Sequence, residues 1–248
     1  MAGHSKWSSI KHKKGAADAK RGKVFTRLVR EIILAARDGG DMATNPRLRT
    51  AVQAARGANM PKDNIDKAIK RGTGEIEGVN YEEIIYEGYG QAGVAIIIDA
   101  MTDNKNRTVA EVRHAFSKYG GTLAENGAVA WNFEQKGLIE IDAEGLDEDE
   151  VMMNVIEAGA DDMESEDGAF FIYTQLVDFS KTIVAIEELG YKINKAELTR
   201  VPKSTVNADS VAEKLLNLIE KLEDLDDVQK VYANFDISDE VFEKLSLD

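Results

Sequence analysis

Apolar positions in the first third of the chain follow a helical period. Between residues 16 and 37 they lie three, four, seven, eight and eleven residues after the first of them, Phe25, which places them on one stripe of an α-helix. The members of this stripe are Phe25, Leu28, Val29, Ile32, Ile33 and Ala36. Gly39-Gly40 ends the predicted helix, and Asn45-Pro46 predicts the cap and first turn of a second. A third is predicted over residues 61–72, so this part indicates a small helical bundle.

The pattern changes to alternating strands and helices after residues 72–79, a glycine-rich stretch that is typical of an interdomain linker. The first predicted series contains strands at 81–87 and 93–101, a helix at 103–119, and strands at 121–125 and 128–134. The second contains a strand at 138–142, a helix at 147–158, strands at 161–165 and 169–174, a helix at 178–189 and a strand at 192–201.

The second series has the order βαββαβ, which is that of a ferredoxin-like unit. A helix at 208–222 and a strand at 228–235 complete a copy of the same order with residues 93–134. The sequence therefore predicts an α+β fold of three domains, a small basic N-terminal helical bundle plus two ferredoxin-like α/β domains, one inserted in the other. The alternative of consecutive independent domains leaves the last helix and strand without a sheet.

The predicted boundaries follow from this insertion. The basic helical domain with an N-terminal arm covers residues 1–74, and a discontinuous α/β domain covers residues 80–135 plus 203–248. The inserted ferredoxin-like domain covers residues 136–202.

Charge divides the chain in the same place. The 248 residues carry a formal net charge of −14, yet residues 1–74 contain 17 Lys and Arg against 6 Asp and Glu. Their net charge is +11, and that of the remainder is −25. Opposite signs in two parts of one chain predict a basic module for polyanions on an acidic body.

The predicted nucleic-acid-binding residues lie in the arm, residues 1–15, and in the first helix. They are Lys6, Trp7, Lys11, His12, Lys13, Lys14, Lys20, Arg21, Lys23, Arg27 and Arg30. A basic arm follows phosphates and releases counterions, and Trp7 offers a ring for base stacking. The alternative is that these cations only keep the bundle soluble, but a solvated face usually interleaves both signs, and Asp18 is the only acid among residues 1–23.

A secondary basic site is predicted at Lys105 and Arg107, which place positive charge in the acidic body. Thr102 or Asp103 is the expected cap of the helix that they begin. On pattern alone, a plain capped helix start is the favoured interpretation of these residues.

Several kinds of chemistry are not supported. The chain has no cysteine, which excludes disulfides, thiolate zinc sites and a cysteine nucleophile. His4 and His12 lack further ligands nearby, so no metal is predicted. The GxGxxG match at residues 88–93 precedes a strand and not a helix, which favours a glycine-rich connection over a dinucleotide loop. Without a GxSxG or Walker motif, we expect no enzyme, no cofactor and no small-molecule substrate.

The expected location is the cytoplasm. No apolar run approaches the roughly 18 residues of a membrane span. Ile10 stands alone where a signal peptide has its apolar core. The basic, amphipathic start leaves a mitochondrial presequence as an alternative, against which Asp18 and the glycines argue only weakly. A membrane surface would attract the same basic residues, but Trp7 and Ile10 make only a thin apolar anchor.

Residues 1–32, MAGHSKWSSIKHKKGAADAKRGKVFTRLVREI, resemble the start of the YebC/PmpR family, bacterial relatives of the mitochondrial translational activator of cytochrome c oxidase subunit one. The blocks YEEIIYEGYG, TDNKNRTVAEVRHAFSKYGG and AVAWNFEQKG are similar to that family as well. Gln91-Ala92 and Ala128 depart from its usual residues, in strand connections and not in the basic module.

The resemblance implies a helical N-terminal domain with two α/β domains, a cytoplasmic location, and transcriptional regulation through DNA binding. Some members are implicated instead in translation, on ribosomes that stall during elongation. The family supplies no catalytic residue to carry over. The expected partners are therefore DNA and/or ribosomal RNA, the latter as part of the ribosome, with no membrane.

Overall fold

The computed structural model describes residues 17–166 and 168–247, so the predicted arm lies outside the described residues. Within these ranges the α-helices are α1 Ala17–Ala35, α2 Pro46–Gly57, α3 Lys62–Gly72, α4 Lys105–Lys118, α5 Glu148–Glu157, α6 Phe179–Glu188, α7 Ala212–Glu223 and α8 Asp239–Leu247. The strands are β1 Glu82–Tyr89, β2 Ala95–Thr102, β3 Thr122–Leu123, β4 Phe133–Asp142, β5 Asp162–Glu166, β6 Ala169–Thr174, β7 Ile193–Pro202, β8 Val206–Asn207, β9 Val228–Ala233 and β10 Phe235–Asp236.

The three predicted N-terminal helices are confirmed. α1 packs against both α2 and α3, and its apolar stripe faces them. Ile32 of α1, Leu48 and Val52 of α2 and Ile65 of α3 are buried in this small core. Because the core uses the apolar face of α1, Lys23, Arg27 and Arg30 point away from the core of the bundle.

Asn45 joins the end of α1 to the start of α2. Its side-chain oxygen accepts the backbone N–H of Leu48 at 3.0 Å, and its amide donates to the carbonyls of Ala35 and Gly39 at 2.7 and 2.8 Å. The predicted cap is thus confirmed, and the amide also satisfies two carbonyls at the carboxyl end of α1.

We expect Asn45→Ala to lower the free energy of unfolding by about 2 kcal/mol, because a cap and two hydrogen bonds of a buried amide are lost together. Chemical denaturation measures the change. Thr44→Ala, at the exposed neighbouring position, is the control and should stay within about 0.5 kcal/mol of wild type. Equal losses in the two variants would contradict the capping role.

The first sheet has the order β3-β1-β2-β9, with antiparallel neighbours. Helices α4 and α7 cover one face, where Ile96, Ile98, Phe116 and Leu218 are buried together. The second sheet has the order β5-β6-β4-β7 and is formed by βαββαβ connections, as the sequence predicted. The segment that forms the second sheet lies between β3 and β9 of the first sheet in the sequence, so one unit is inserted in the other. The predicted α+β fold class is confirmed.

The predicted strand at residues 128–134 is wrong. Residues 130–132 form a turn of 3-10 helix, and Phe133 already begins β4 of the second sheet. In the predicted ferredoxin-like sheet, this strand would have paired with β2. In the structure, β1 pairs with β2 at that position. The segment lies across the other face of the first sheet, where Val129 and Phe133 pack on Ile97 and Tyr232.

The buried carboxylate of Glu87 explains that course. Its oxygens accept the backbone N–H groups of Gly127, Val129 and Ala130 at 2.6, 2.7 and 2.8 Å. N–H groups bound to a carboxylate are not available to a strand ladder.

The carboxyl-terminal β8, β10 and α8 were also not predicted; β8 pairs with β10 in parallel.

Candidate nucleic-acid interface

Three of the predicted nucleic-acid-binding residues share one face of α1. Lys23, Arg27 and Arg30 are spaced by four and three residues, which aligns them along the helix. This face lies against the carboxyl end of α7 and the turn that follows it. We call residues 223–227, of sequence EDLDD, the acidic turn.

Lys23 and Arg27 contact the first part of the acidic turn. The Lys23 ammonium donates to the carbonyl oxygen of Asp224 at 3.0 Å and to its carboxylate at 3.1 Å. Arg27 donates to the carbonyl oxygen of Glu223. The last carbonyls of a helix have no partner within the helix and form its negative pole, so cations are favoured there.

Burial changes the electrostatics of Arg27. It lowers the pKa of the guanidinium, and the negative charges of Glu223 and Asp224 oppose that effect. An arginine remains charged at neutral pH even so. Arg27 has therefore exchanged part of its hydration for oxygens of the acidic turn.

Arg30 reaches deeper, to Asp227, whose side chain is only 2% exposed. One Asp227 oxygen lies 3.2 Å from the Arg30 guanidinium. The other accepts from Arg107 at 2.7 Å, from Thr108 at 2.7 Å and from Thr102 at 3.0 Å. We call these five residues the Asp227 cluster; it joins α1, the end of β2 and the start of α4 to the acidic turn.

The Asp227 cluster holds its carboxyl group ionised. Burial alone would raise the pKa of Asp227, but hydrogen bonds from Arg107, Thr108 and Thr102 outweigh burial and lower it. Arg30 also donates to the carbonyls of Asp226 and Met101 at 2.5 and 3.3 Å. Its guanidinium carbon lies 5.2 Å from the centre of the Tyr81 ring. Arg30 thus fastens α1 to the first sheet.

The two residues of the predicted secondary basic site are both paired with acids. The Lys105 ammonium lies 2.6 Å from Glu82, and Arg107 bonds Asp103 at 2.8 Å in addition to Asp227. The expected caps are wrong: Asn104 caps α4, accepting the N–H of Arg107 at 3.1 Å. Arg107 contributes to the Asp227 cluster, a role that its local sequence did not indicate.

The remaining predicted residues belong to the arm and to the first turns of α1. Lys6, Trp7, Lys11, His12, Lys13 and Lys14 lie outside the described residues, and Lys20 and Arg21 belong to the first turns of α1. Their role in binding nucleic acid stays a prediction.

Other cations of the helical domain, on α2 and α3, were not selected from the sequence. Across residues 17–166 and 168–247, these exposed side chains form no ion pair: Arg56, Lys62, Lys67, Lys70 and Arg71. By contrast, Arg47 is held by Glu31 at 2.9 Å and Glu83 at 2.5 Å. The five unpaired cations lie off the apolar stripes of α2 and α3, and this position in the sequence could have indicated that they are exposed. This second group remains open to an anionic partner.

The sheet face of the second α/β unit is a poor surface for nucleic acid. Phe171 and Tyr173 lie on β6, one of the two inner strands, where aromatic rings can stack on bases. However, the Tyr173 hydroxyl donates to Glu164 at 3.1 Å, and Glu140 pairs directly with Phe171. Carboxylates beside both rings would repel phosphate.

Neither a metal site nor a membrane span is found in the part of the chain that the structure describes. No three His, Cys, Asp or Glu side chains there converge in a way that could hold a metal ion. None of the helices described is long and apolar enough to cross a bilayer.

Comparison with protein families decides the relationship of this chain. The family model for the TACO1/YebC N-terminal domain matches residues 5–75, and the model for the TACO1/YebC second and third domain matches residues 81–235. The chain belongs to the TACO1/YebC family. The resemblance found in the sequence is thereby confirmed.

Relatives of this TACO1/YebC protein match over its full length. A protein of Dictyoglomus turgidum is 57% identical over 249 residues, with 99% of this chain and 100% of the relative covered. One of Magnetococcus marinus is 56% identical over 249 residues, with the same shares covered. Both carry the name "Probable transcriptional regulatory protein".

A solved structure has the same fold as this TACO1/YebC protein. It is the crystal structure of a conserved hypothetical protein from Aquifex aeolicus, 48% identical, with a TM-score of 0.85 and 93% of this chain and 96% of that chain covered. The contact between α1 and the acidic turn joins the regions that the two TACO1/YebC models match.

Proposed function

We propose that this TACO1/YebC protein is a nucleic-acid-binding regulatory protein that recognises DNA and regulates transcription. It acts by binding, and it performs no catalytic step. The names of its relatives support the regulatory role, and the charge of its N-terminal domain supports the class of partner.

The excess of cations in residues 1–74 carries this proposal. These residues hold 17 Lys and Arg against 6 Asp and Glu, and within the described part of the chain the following cations of α2 and α3 are exposed and form no ion pair: Arg56, Lys62, Lys67, Lys70 and Arg71. Each phosphate neutralised by a Lys or Arg releases condensed counterions, which is the main source of sequence-independent affinity. The acidic α/β region is repelled by phosphate, so nucleic acid approaches from the helical domain.

The affinity for duplex DNA and its salt dependence test this proposal. A variant with Lys11, Lys13 and Lys14 changed to Ala should bind more weakly at low salt. The slope of log K against log salt should become shallower by about 0.9 for each phosphate that is no longer neutralised, or by about 3 for three phosphates. The matched control changes Lys181, Lys192 and Lys214 to Ala, exposed lysines of the acidic region. Equal slopes in both variants would show that the arm does not hold DNA.

Crosslinking in cells, followed by sequencing of both DNA and RNA, identifies the polymer. Discrete promoter segments without ribosomal RNA are the expected result. Ribosomal RNA without promoter enrichment would overturn the DNA assignment in favour of the alternative, a ribosome-associated translation factor that acts on stalled elongation.

A further inference from the structure

We infer that the acidic turn is an internal competitor for nucleic acid, which occupies the phosphate-binding positions of Lys23 and Arg27 on α1. This inference rests on the proposed function, because it treats these cations as part of the nucleic-acid surface. It adds a regulatory element in which the acidic body masks part of the basic domain.

The contacts resemble those that a phosphodiester would make. Lys23 meets two oxygens of Asp224 at 3.0 and 3.1 Å, and Arg27 meets a carbonyl oxygen one residue earlier. An ammonium or guanidinium binds phosphate oxygens at similar distances and with the same charge complementarity. A phosphate and the acidic turn therefore compete for the N–H donors of these two cations.

The junction has an exposed part and a buried part. The side chains of Lys23 and Asp224 are 42% and 52% exposed, so an incoming anion can reach them. Those of Arg30 and Asp227 are 11% and 2% exposed. An exposed ion pair is weak and screened by salt, whereas breaking a buried one leaves an uncompensated charge. The exposed part can thus yield to a polyanion while the Asp227 cluster keeps the domains attached.

Under competition, the apparent affinity for nucleic acid equals the intrinsic affinity multiplied by the fraction of molecules in which the acidic turn is withdrawn. Weakening the turn should therefore tighten binding, although no residue of the turn touches the nucleic acid. Of the two oxygens that accept from Lys23, the carboxylate of Asp224 is the one that a substitution removes, because the other belongs to the backbone.

We expect Asp224→Ala to raise the affinity for duplex DNA by about 2- to 5-fold at low salt, as the loss of an exposed ion pair predicts. Asp224→Asn, which keeps the size of the side chain, should act in the same direction. Glu213→Ala is the matched control: Glu213 is exposed in the first turn of α7, the helix that Asp224 follows, and lies eleven residues and about 16 Å from Asp224. Its removal changes the net charge equally, and screening should limit its effect to less than about 1.5-fold.

A double-mutant cycle separates competition from general repulsion. If Lys23 is the contested cation, Lys23→Ala weakens binding, and in that background the gain from Asp224→Ala falls to the level of the Glu213→Ala control. An undiminished gain in the Lys23→Ala background would overturn the inference.

The same measurements distinguish failure of the inference from failure of the proposed function. If the wild-type protein binds duplex DNA and the affinity of Asp224→Ala equals that of Glu213→Ala, the acidic turn is no competitor and the proposed function stands. If neither the wild-type protein nor Asp224→Ala binds either polymer, both are wrong.

Discussion

An Asp227→Ala variant is expected to lose about 3–5 kcal/mol of unfolding free energy, because it breaks a buried ion pair and leaves a charge without compensation. Arg30 would remain beside the first sheet with its main counter-charge gone. The hydroxyls of Thr102 and Thr108 would lose their shared acceptor as well. Asp227 is thus the residue on which the attachment of α1 to the acidic body depends most.

Urea unfolding of wild type and variant measures this loss. Asp226→Ala is the control: its exposed carboxylate is removed, but the carbonyl oxygen that accepts from Arg30 remains. We expect the control to stay within about 0.5 kcal/mol of wild type. Comparable losses in the two variants would mean that net charge, and not the buried cluster, stabilises the junction.

Glu87→Gln is expected to lower the unfolding free energy by about 2–3 kcal/mol at pH 7. The amide presents one acceptor oxygen where the carboxylate presents two, so at least one buried N–H loses its partner. In the wild-type protein, burial would raise the pKa of Glu87, but the N–H groups of Gly127, Val129 and Ala130 outweigh burial and hold it below its ordinary value.

The pH dependence of that difference has a definite sign. Because the pKa of Glu87 is lower in the folded state, its stabilising contribution is complete above the unfolded value of about 4.3. It is lost as the pH falls through the folded value, where the protonated carboxyl group resembles the amide. The gap between wild type and Glu87→Gln should therefore narrow below about pH 4. A gap that stays constant from pH 7 to pH 3 would contradict the role of the ionised carboxylate.

Local pattern predicted most of the fold and failed where a distant side chain decided the structure. The βαββαβ series followed from alternation and turn residues, since each of its elements packs on near neighbours. Residues 128–134 also alternate like a strand, yet Glu87, some 40 residues earlier, binds their N–H groups and turns them across the sheet. Nothing in the segment itself encodes that contact.

The candidate interface shows a similar division. Helical spacing alone places Lys23, Arg27 and Arg30 on one face of α1, because the period of a helix is a local property. What covers that face lies about 200 residues away in the acidic turn, and periodicity carries no information about such partners. The EDLDD run at residues 223–227 was the one feature of the sequence that could have indicated this partner, because its negative charge matches the positive charge of that face of α1.

The insertion imposes an order on biosynthesis. Ile98 of β2 pairs with Val231 of β9, which is 133 residues later in the chain. At about 5–20 residues per second, a ribosome takes roughly 7–27 s to make that interval. The second sheet is complete within this time, whereas the first sheet waits for its edge strand. The acidic turn is also synthesised late. Lys23, Arg27 and Arg30 of α1 therefore leave the ribosome before the carboxylates that later neutralise them have been made.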